Sequence, residues 1–154
     1  MIDAGQPFPS FSLQDQNGGT VTLEDLKGSK AIIYFYPKDD TPGCTAEACE
    51  FQQSAPDMHK EGSGGLRVIG VSPDSVKSHK KFATKYGLEF TLLADLDHKL
   101  CDQLGLWVEK SMYGKKYMGV ARTTFVIDEN GIVEKVYQGV KPEGHAAQVL
   151  AAIQ

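Results

Sequence analysis

The residues Ala31 to Tyr36 read Ala-Ile-Ile-Tyr-Phe-Tyr, a nearly unbroken apolar run that stops at Pro37. A strand with one wet face alternates apolar and polar positions, so an unbroken run predicts a central strand covered on both faces. Leu66 to Val71 predicts a second such strand and Phe90 to Ala94 a third, shorter one. Between the first two, Cys44 to Lys60 lacks any two-residue alternation and carries Ala46, Glu47, Ala48, Glu50 and Gln52, which favour helix. Pro56 is expected to end or kink that helix, and Gly62 to Gly65 to break it fully. Ser72-Pro73-Asp74 reads as the start of a second helix, reaching about Tyr86 and closed by Gly87. His98 to Leu104 reads as a short helix closed by Gly105.

Two pairs of short apolar segments flank turn residues. Phe11-Ser12-Leu13 and Thr20 to Leu23 enclose Asn17-Gly18-Gly19, which predicts an N-terminal β-hairpin. Thr123 to Ile127 and Ile132 to Tyr137 enclose Asp128-Glu129-Asn130-Gly131, a second hairpin. Leu106 to Met118 reads as a loop in which Trp107 and Tyr113 cover the core, and His145 to Ile153 as a closing helix packed through Val149, Leu150 and Ile153. Strands alternating with helices, plus hairpins in two places, predict an α/β three-layer sandwich around a mixed sheet, a pattern compatible with a thioredoxin-like fold.

Composition narrows the classes of function. The 154 residues show no linker or repeat and suit one domain spanning 1–154. A formal net charge of −4, with lysines spread along the chain, argues against nucleic-acid binding. No signal-peptide pattern opens the chain and no apolar run approaches a bilayer span, so no membrane partner is expected and a reducing cytoplasm is the expected compartment. Three cysteines, Cys44, Cys49 and Cys101, make an odd set that suits reactive thiols better than a structural disulfide framework, although Cys101 reads as a core residue. His98 and Cys101 do not make a metal-binding pattern with the other cysteines, and His59, His79 and His145 read as solvated.

The chemistry concentrates in Tyr36 to Cys49, where a buried strand hands over to a helix start, the usual ligand position in open α/β sheets. Cys44 falls in the first turn of that helix, where free N–H groups and the positive end of the helix dipole favour a thiolate. A thiol with a pKa near 8.5 is only about 3% ionised at pH 7, so full ionisation raises the reactive population about thirty-fold. Lowering such a pKa by roughly 2.5 units takes about 3.4 kcal/mol. A helix terminus supplies roughly 0.3–2 kcal/mol, so a cation is required as well. Of the two arginines, Arg67 reads as the edge of a strand, whereas Arg122 immediately precedes the strand Thr123 to Ile127 and is the better placed. Donors that polarise an oxidant as its O–O bond breaks would add more; the Thr41 hydroxyl, the Gly43 and Cys44 amides and Arg122 are the candidates.

Cys49 lies five residues beyond Cys44. On an ideal helix that spacing sets the Cα atoms roughly 8–9 Å apart. A disulfide needs about 4.4–6.8 Å, so the two cysteines can bridge only if the first turns of the helix unwind. A thioredoxin-type dithiol oxidoreductase would instead want Cys-x-x-Cys, and a redox sensor would not require Thr41 or Arg122.

The run Pro37-Lys38-Asp39-Asp40-Thr41-Pro42-Gly43-Cys44 resembles the active-site motif of the peroxiredoxins, Pro-x-x-x-Thr-x-x-Cys. Thr41 to Thr45 followed by Cys49 is similar to the bacterioferritin comigratory protein, or peroxiredoxin Q, branch, and the likeness continues through Gly70-Val71-Ser72 and Lys110 to Gly119 to Arg122–Asp128. The resemblance implies a thioredoxin-like fold and reduction of hydrogen peroxide and organic hydroperoxides without a cofactor or metal. Cys44 would be the peroxidatic cysteine, passing through a sulfenic acid, and Cys49 the resolving one, forming an intramolecular disulfide as in atypical 2-Cys enzymes. Thr41 and Arg122 would bind and polarise the peroxide, Pro37 would shield the site with Gly43 beside it, and Glu47 would steady the arginine. The implied partner is a thioredoxin-like reductant, and the expected state is a monomer or weak dimer.

Overall fold

A computed structural model describes residues 2–58 and 66–153. Its elements run β1 (Ser12–Asp15), β2 (Thr20–Thr22), α1 (Leu23–Leu26), β3 (Ala31–Phe35), α2 (Pro42–Met58), β4 (Arg67–Ser72), α3 (Val76–Tyr86), β5 (Thr91–Ala94), α4 (Lys99–Gln103), β6 (Trp107–Met112), β7 (Lys115–Val120), β8 (Thr123–Ile127), β9 (Val133–Gln138) and α5 (His145–Ile153). Seven strands form one mixed sheet in the order β2-β1-β5-β4-β3-β8-β9, in which β3, β4 and β5 are mutually parallel and the outer pairings antiparallel.

The apolar run of β3 explains the layering. All five of its residues are buried, and successive side chains enter different cores. Ala31, Ile33 and Phe35 join Leu23, Leu26, Leu100 and Cys101 of α1 and α4, whereas Ile32 and Tyr34 join Cys44, Ala48, Phe51, Phe82 and Val149 of α2, α3 and α5. Each fully buried Leu, Ile or Phe contributes about 1.5–3 kcal/mol, so two such clusters hold helices on both faces. The three-layer sandwich and the N-terminal hairpin expected from the sequence are present.

Four readings of the elements need correction. The segment Leu106 to Met118 is a two-stranded antiparallel hairpin, β6 and β7, turning at Tyr113 (φ 52°) and Gly114 (φ 77°), both left-handed. Trp107 packs on the core, but Tyr113 is 98% exposed and covers nothing. The chain expected to stay extended through Leu23 turns into α1 there, because Thr22 and Asp25 form a reciprocal capping box. Helix α2 runs two residues past Pro56, so the proline does not end it; the breaker Gly62 to Gly65 lies outside the described residues. Helix α3 starts at Val76, one turn later than Ser72, with Ser75 capping the Ser78 amide and Gly87 closing it at φ 65°. Among the described residues no helix is long and apolar enough to cross a membrane.

Gly70 of β4 is a contact requirement. A Cβ there would lie 2.9 Å from Leu92 Cδ2 and 3.0 Å from Cζ and Oη of Tyr34, whose ring stacks on Phe51 of α2. Gly70→Ala is therefore expected to lower the urea midpoint, by about 1–3 kcal/mol of stability at unchanged m-value. A midpoint equal to the parent's would show that the Tyr34 ring moves freely.

Candidate active site

Strand β3 delivers the chain to the loop 36–41, and α2 begins at Pro42. Strand β8 is antiparallel to β3 with Phe35 opposite Thr123, so Arg122 enters the sheet beside the point where β3 leaves it. On α2, Cys44, Glu47, Ala48 and Phe51 stand at i, i+3, i+4 and i+7 and form its buried face. The Cys44 side chain is 1% exposed, yet it is not in an apolar hole: Nη2 of Arg122 donates to its Sγ at 3.0 Å. Nη1 of the same guanidinium donates to Glu47 Oε1 at 3.2 Å. Arg122 thus spans the thiol and the carboxylate with two arms of one planar fork, and its side chain keeps 20% exposure.

Gly43 makes that approach possible. A Cβ there would lie 3.0 Å from Arg122 Nη2 and 3.3 Å from Cγ of Pro142, which precedes α5. The first helical hydrogen bond runs from the Thr45 amide to the Thr41 carbonyl at 2.8 Å, and among the described residues the Gly43 and Cys44 amides have no partner. Two N–H groups and the helix dipole therefore face the site, as expected at a helix start. Thr41 differs from its expected use: its hydroxyl donates to the Lys38 carbonyl at 3.0 Å, so its oxygen offers lone pairs rather than a proton. Pro37 is half-buried just after β3.

Cys49 is half-buried on the same unbroken helix, and all three thiols are free. Cys101 is fully buried on α4, where burial and the Asp95 carboxylate push its thiol pKa up and leave it unreactive.

The loop before Cys44 is clamped by a buried polar cluster that the sequence did not reveal. Asp39 accepts from the Tyr36 hydroxyl (2.5 Å) and the Ser78 hydroxyl (2.8 Å) and lies 2.7 Å from His79 Nδ1. His79 Nε2 donates to the Leu93 carbonyl at 2.9 Å, while the Asp39 amide donates to Asp74, itself held by Ser72. His79 is fully buried rather than solvated; so is His145, whose Nε2 meets the Thr124 hydroxyl at 2.7 Å and whose pKa burial lowers. His59 lies outside the described residues. Asp39, Asp74 and His79 bring ligand atoms within 4.8 Å of one another, a geometry a cation could use, but each is already engaged in hydrogen bonds. A cleft of about 850 Å³ bordered by Asp39, Asp40, Ser78, Lys81, Phe82 and Lys85 shares the loop but not Thr41, Cys44 or Arg122.

A thiol at a helix mouth, bridged by arginine to a buried glutamate, is the arrangement the sequence motif implied. The family model that matches the chain, over residues 4–136, is the AhpC/TSA family. The chain belongs to that family. It is 49% identical over 152 residues to the putative peroxiredoxin bcp of Coxiella burnetii, covering 99% of each chain, and 43% identical to peroxiredoxin Bcp of Escherichia coli strain K12, covering 97% of this chain and 94% of that one. Peroxiredoxin Q of Xanthomonas campestris superposes with a TM-score of 0.88 at 40% identity, covering 99% and 98%; that of Xylella fastidiosa superposes with 0.91 at 34%, covering 99% and 96%. The peroxiredoxin thus falls in the Bcp/PrxQ branch, has a thioredoxin-like fold and is a thiol peroxidase.

Glu47 gives this peroxiredoxin a measurable signature. Burial raises its pKa from 4.5 to about 7; the Arg122 charge opposes the rise and Glu50 adds to it. Between those values the unfolded chain releases the proton and the native one keeps it, so stability declines as pH rises through that window. Glu47→Gln is expected to remove the decline, gaining about 1–3 kcal/mol relative to the parent between pH 4.5 and pH 8. Urea titrations across that range check it, and parallel curves for the two proteins would contradict the assignment.

Proposed function

We propose that the chain, acting as a single domain, reduces hydrogen peroxide and organic hydroperoxides at Cys44 and resolves the product with Cys49. The observation that carries this reading is the 3.0 Å contact from Arg122 Nη2 to Cys44 Sγ at the start of α2. The thiolate sulfur attacks the terminal oxygen, the O–O bond breaks, and Cys44 becomes a sulfenic acid while the departing alkoxide takes up a proton as alcohol, or as water from hydrogen peroxide. Arg122 and the free amides of Gly43 and Cys44 face the charge that moves onto the departing oxygen. The Thr41 oxygen, whose own proton goes to the Lys38 carbonyl, accepts a hydrogen bond from the hydroperoxide O–H and orients the substrate, Pro37 shields the site, and Glu47 holds the guanidinium in plane.

The Cys49 thiol then displaces water from the sulfenic acid to form the Cys44–Cys49 disulfide. A dithiol donor of the thioredoxin type reduces it, restoring both thiols and leaving with the disulfide itself. Arg122, Cys44 and Glu47 meet within one chain, so this part of the site needs no residue from a second copy. A reducing cytoplasm suits such a cycle.

In a coupled assay with thioredoxin, its reductase and NADPH, Cys44→Ser is expected to lose all peroxide-dependent turnover, whereas Cys49→Ser consumes about one equivalent and stalls. Multi-turnover activity of Cys44→Ser at the parent rate would end the proposal. Because the α2 spacing holds the two cysteines roughly 8–9 Å apart at Cα, disulfide formation is expected to unwind its first turns. Amide exchange over residues 44–52 should then speed up at least tenfold on oxidation; equal protection in both forms would refute the switch.

A further inference from the structure

Among the described residues three other than glycine hold a left-handed backbone: Asp40 (φ 56°), His98 (φ 49°) and Tyr113 (φ 52°). His98 precedes α4 and Tyr113 turns the β6–β7 hairpin, whereas Asp40 stands directly before Thr41 in the loop that leads to Cys44. Side chains crowd the backbone in that region, and aspartate enters it as a single residue with local polar support. At Asp40 the support comes from far along the chain. Its carboxylate accepts from Lys85 Nζ at 2.9 Å and from the Tyr86 hydroxyl at 2.5 Å, the last two residues of α3. An ion pair this exposed adds little to stability, so these bonds matter for where they hold the backbone.

Asp39 and Asp40 form the turn between Lys38 and Thr41, and across it the Thr41 hydroxyl reaches the Lys38 carbonyl at 3.0 Å. That bond uses the Thr41 proton and leaves the lone pairs of its oxygen for the site. Asp39 is fastened to Ser78 and His79, so α3 grips the turn twice, near its start and at its end.

We propose that Asp40 is a positioning residue for hydroperoxide reduction: its left-handed backbone, anchored by Lys85 and Tyr86, aims the Thr41 oxygen at the hydroperoxide O–H. The proposal rests on the reading in which Thr41 orients the substrate at Cys44. A residue at position 40 that left the left-handed region would swing Thr41 away, while the thiol, carried on α2 against Arg122, would stay in place. Misplacing an orienting group by about 1 Å can cost up to about a hundredfold in rate. The loss would fall on a reaction that needs its substrate oriented and spare one that needs only the thiolate.

The test compares, in the Cys49→Ser background, the second-order rate of Cys44 with hydrogen peroxide and its alkylation by iodoacetamide at the same pH. Asp40→Val, whose branched Cβ opposes the left-handed region, is expected to lower the peroxide rate about ten- to hundredfold and keep alkylation within about twofold. Asp40→Asn, which tolerates the same φ and keeps an acceptor for Tyr86, stays within about twofold in both reactions. Lys85→Met combined with Tyr86→Phe leaves position 40 intact but unheld, and loses about threefold with peroxide alone. A parent peroxide rate in Asp40→Val or in that double variant overturns the proposal. So does alkylation of Asp40→Val that changes as much as its peroxide reaction, or Asp40→Asn as slow as Asp40→Val. Thr41→Val, measured alongside, separates the two levels. At the parent peroxide rate it strikes the orienting role of Thr41 and this proposal with it; slow beside fast Asp40 variants, it strikes this proposal alone.

Discussion

The bridge from Arg122 to Cys44 is the interaction on which the site depends, and the sheet topology creates it. Strand β3 ends where the loop to α2 begins, and β8 lies antiparallel beside it with Thr123 opposite Phe35. Any residue just before β8 must therefore stand next to the chain leaving β3. A slip of one residue in that pairing would turn the alternation of β3 inside out, sending Tyr34 into the core now occupied by Ile33 and Phe35. The same packing that makes the register unambiguous also places the guanidinium. Gly43 adds the last condition, since any larger residue would lie against Nη2.

The two sides of Cys44 are held differently. Upstream, Asp39, Asp74, Ser78 and His79 fasten the loop to β4 and α3 through buried and part-buried hydrogen bonds. Each such bond contributes about 1 kcal/mol, and one left broken in the interior costs about 1–3 kcal/mol. Downstream, among the described residues the first turn of α2 has two amides without a partner, although Cys44 and Glu47 are as buried as Ala48 and Phe51 in the next turns. Local opening draws on the weakly held part of a structure. In the proposed cycle the opening would fall on the stretch carrying Cys44 and Cys49, where the free first amides loosen the helix and the burial of Cys44 would be given up.

Much of this architecture is legible in the sequence because burial writes it plainly. The runs at β3 and β4, the Gly87 stop and the Pro37 boundary follow from apolar runs and backbone constraints, and Cys44, Gly43, Glu47 and Arg122 converge as their motif implies. The hairpin β6–β7 was illegible for a physical reason: its turn is Tyr113-Gly114 rather than an Asn-Gly or Asp-Gly pair, and Met112, Tyr117 and Met118 are exposed, so no clean alternation marks a buried face. The capping box Thr22–Asp25 was a readable signal that strand propensity obscured. The burial of His79 and His145 could not be read, because their partners Asp39, Leu93 and Thr124 are distant in sequence and only the folded sheet brings them together.

A buried thiol contacted by one cation raises the question of where the rate comes from. Ionising every thiol raises the reactive population only about thirty-fold, whereas a single well-placed donor to a developing oxyanion is worth about 10²–10³ in rate. The guanidinium geometry favours the second effect. In the resting site one arm rests on Cys44 and the other on Glu47. In the proposed reaction negative charge leaves the sulfur and accumulates on the departing oxygen as the O–O bond breaks, and a planar fork held at Glu47 would follow that charge without reorienting. Interactions that strengthen along the reaction lower its barrier, whereas those that hold ground and transition states alike do not. By this argument the buried glutamate would matter less as a charge than as the anchor that keeps the fork aimed while, in the proposed reaction, the sulfur gives up its electrons.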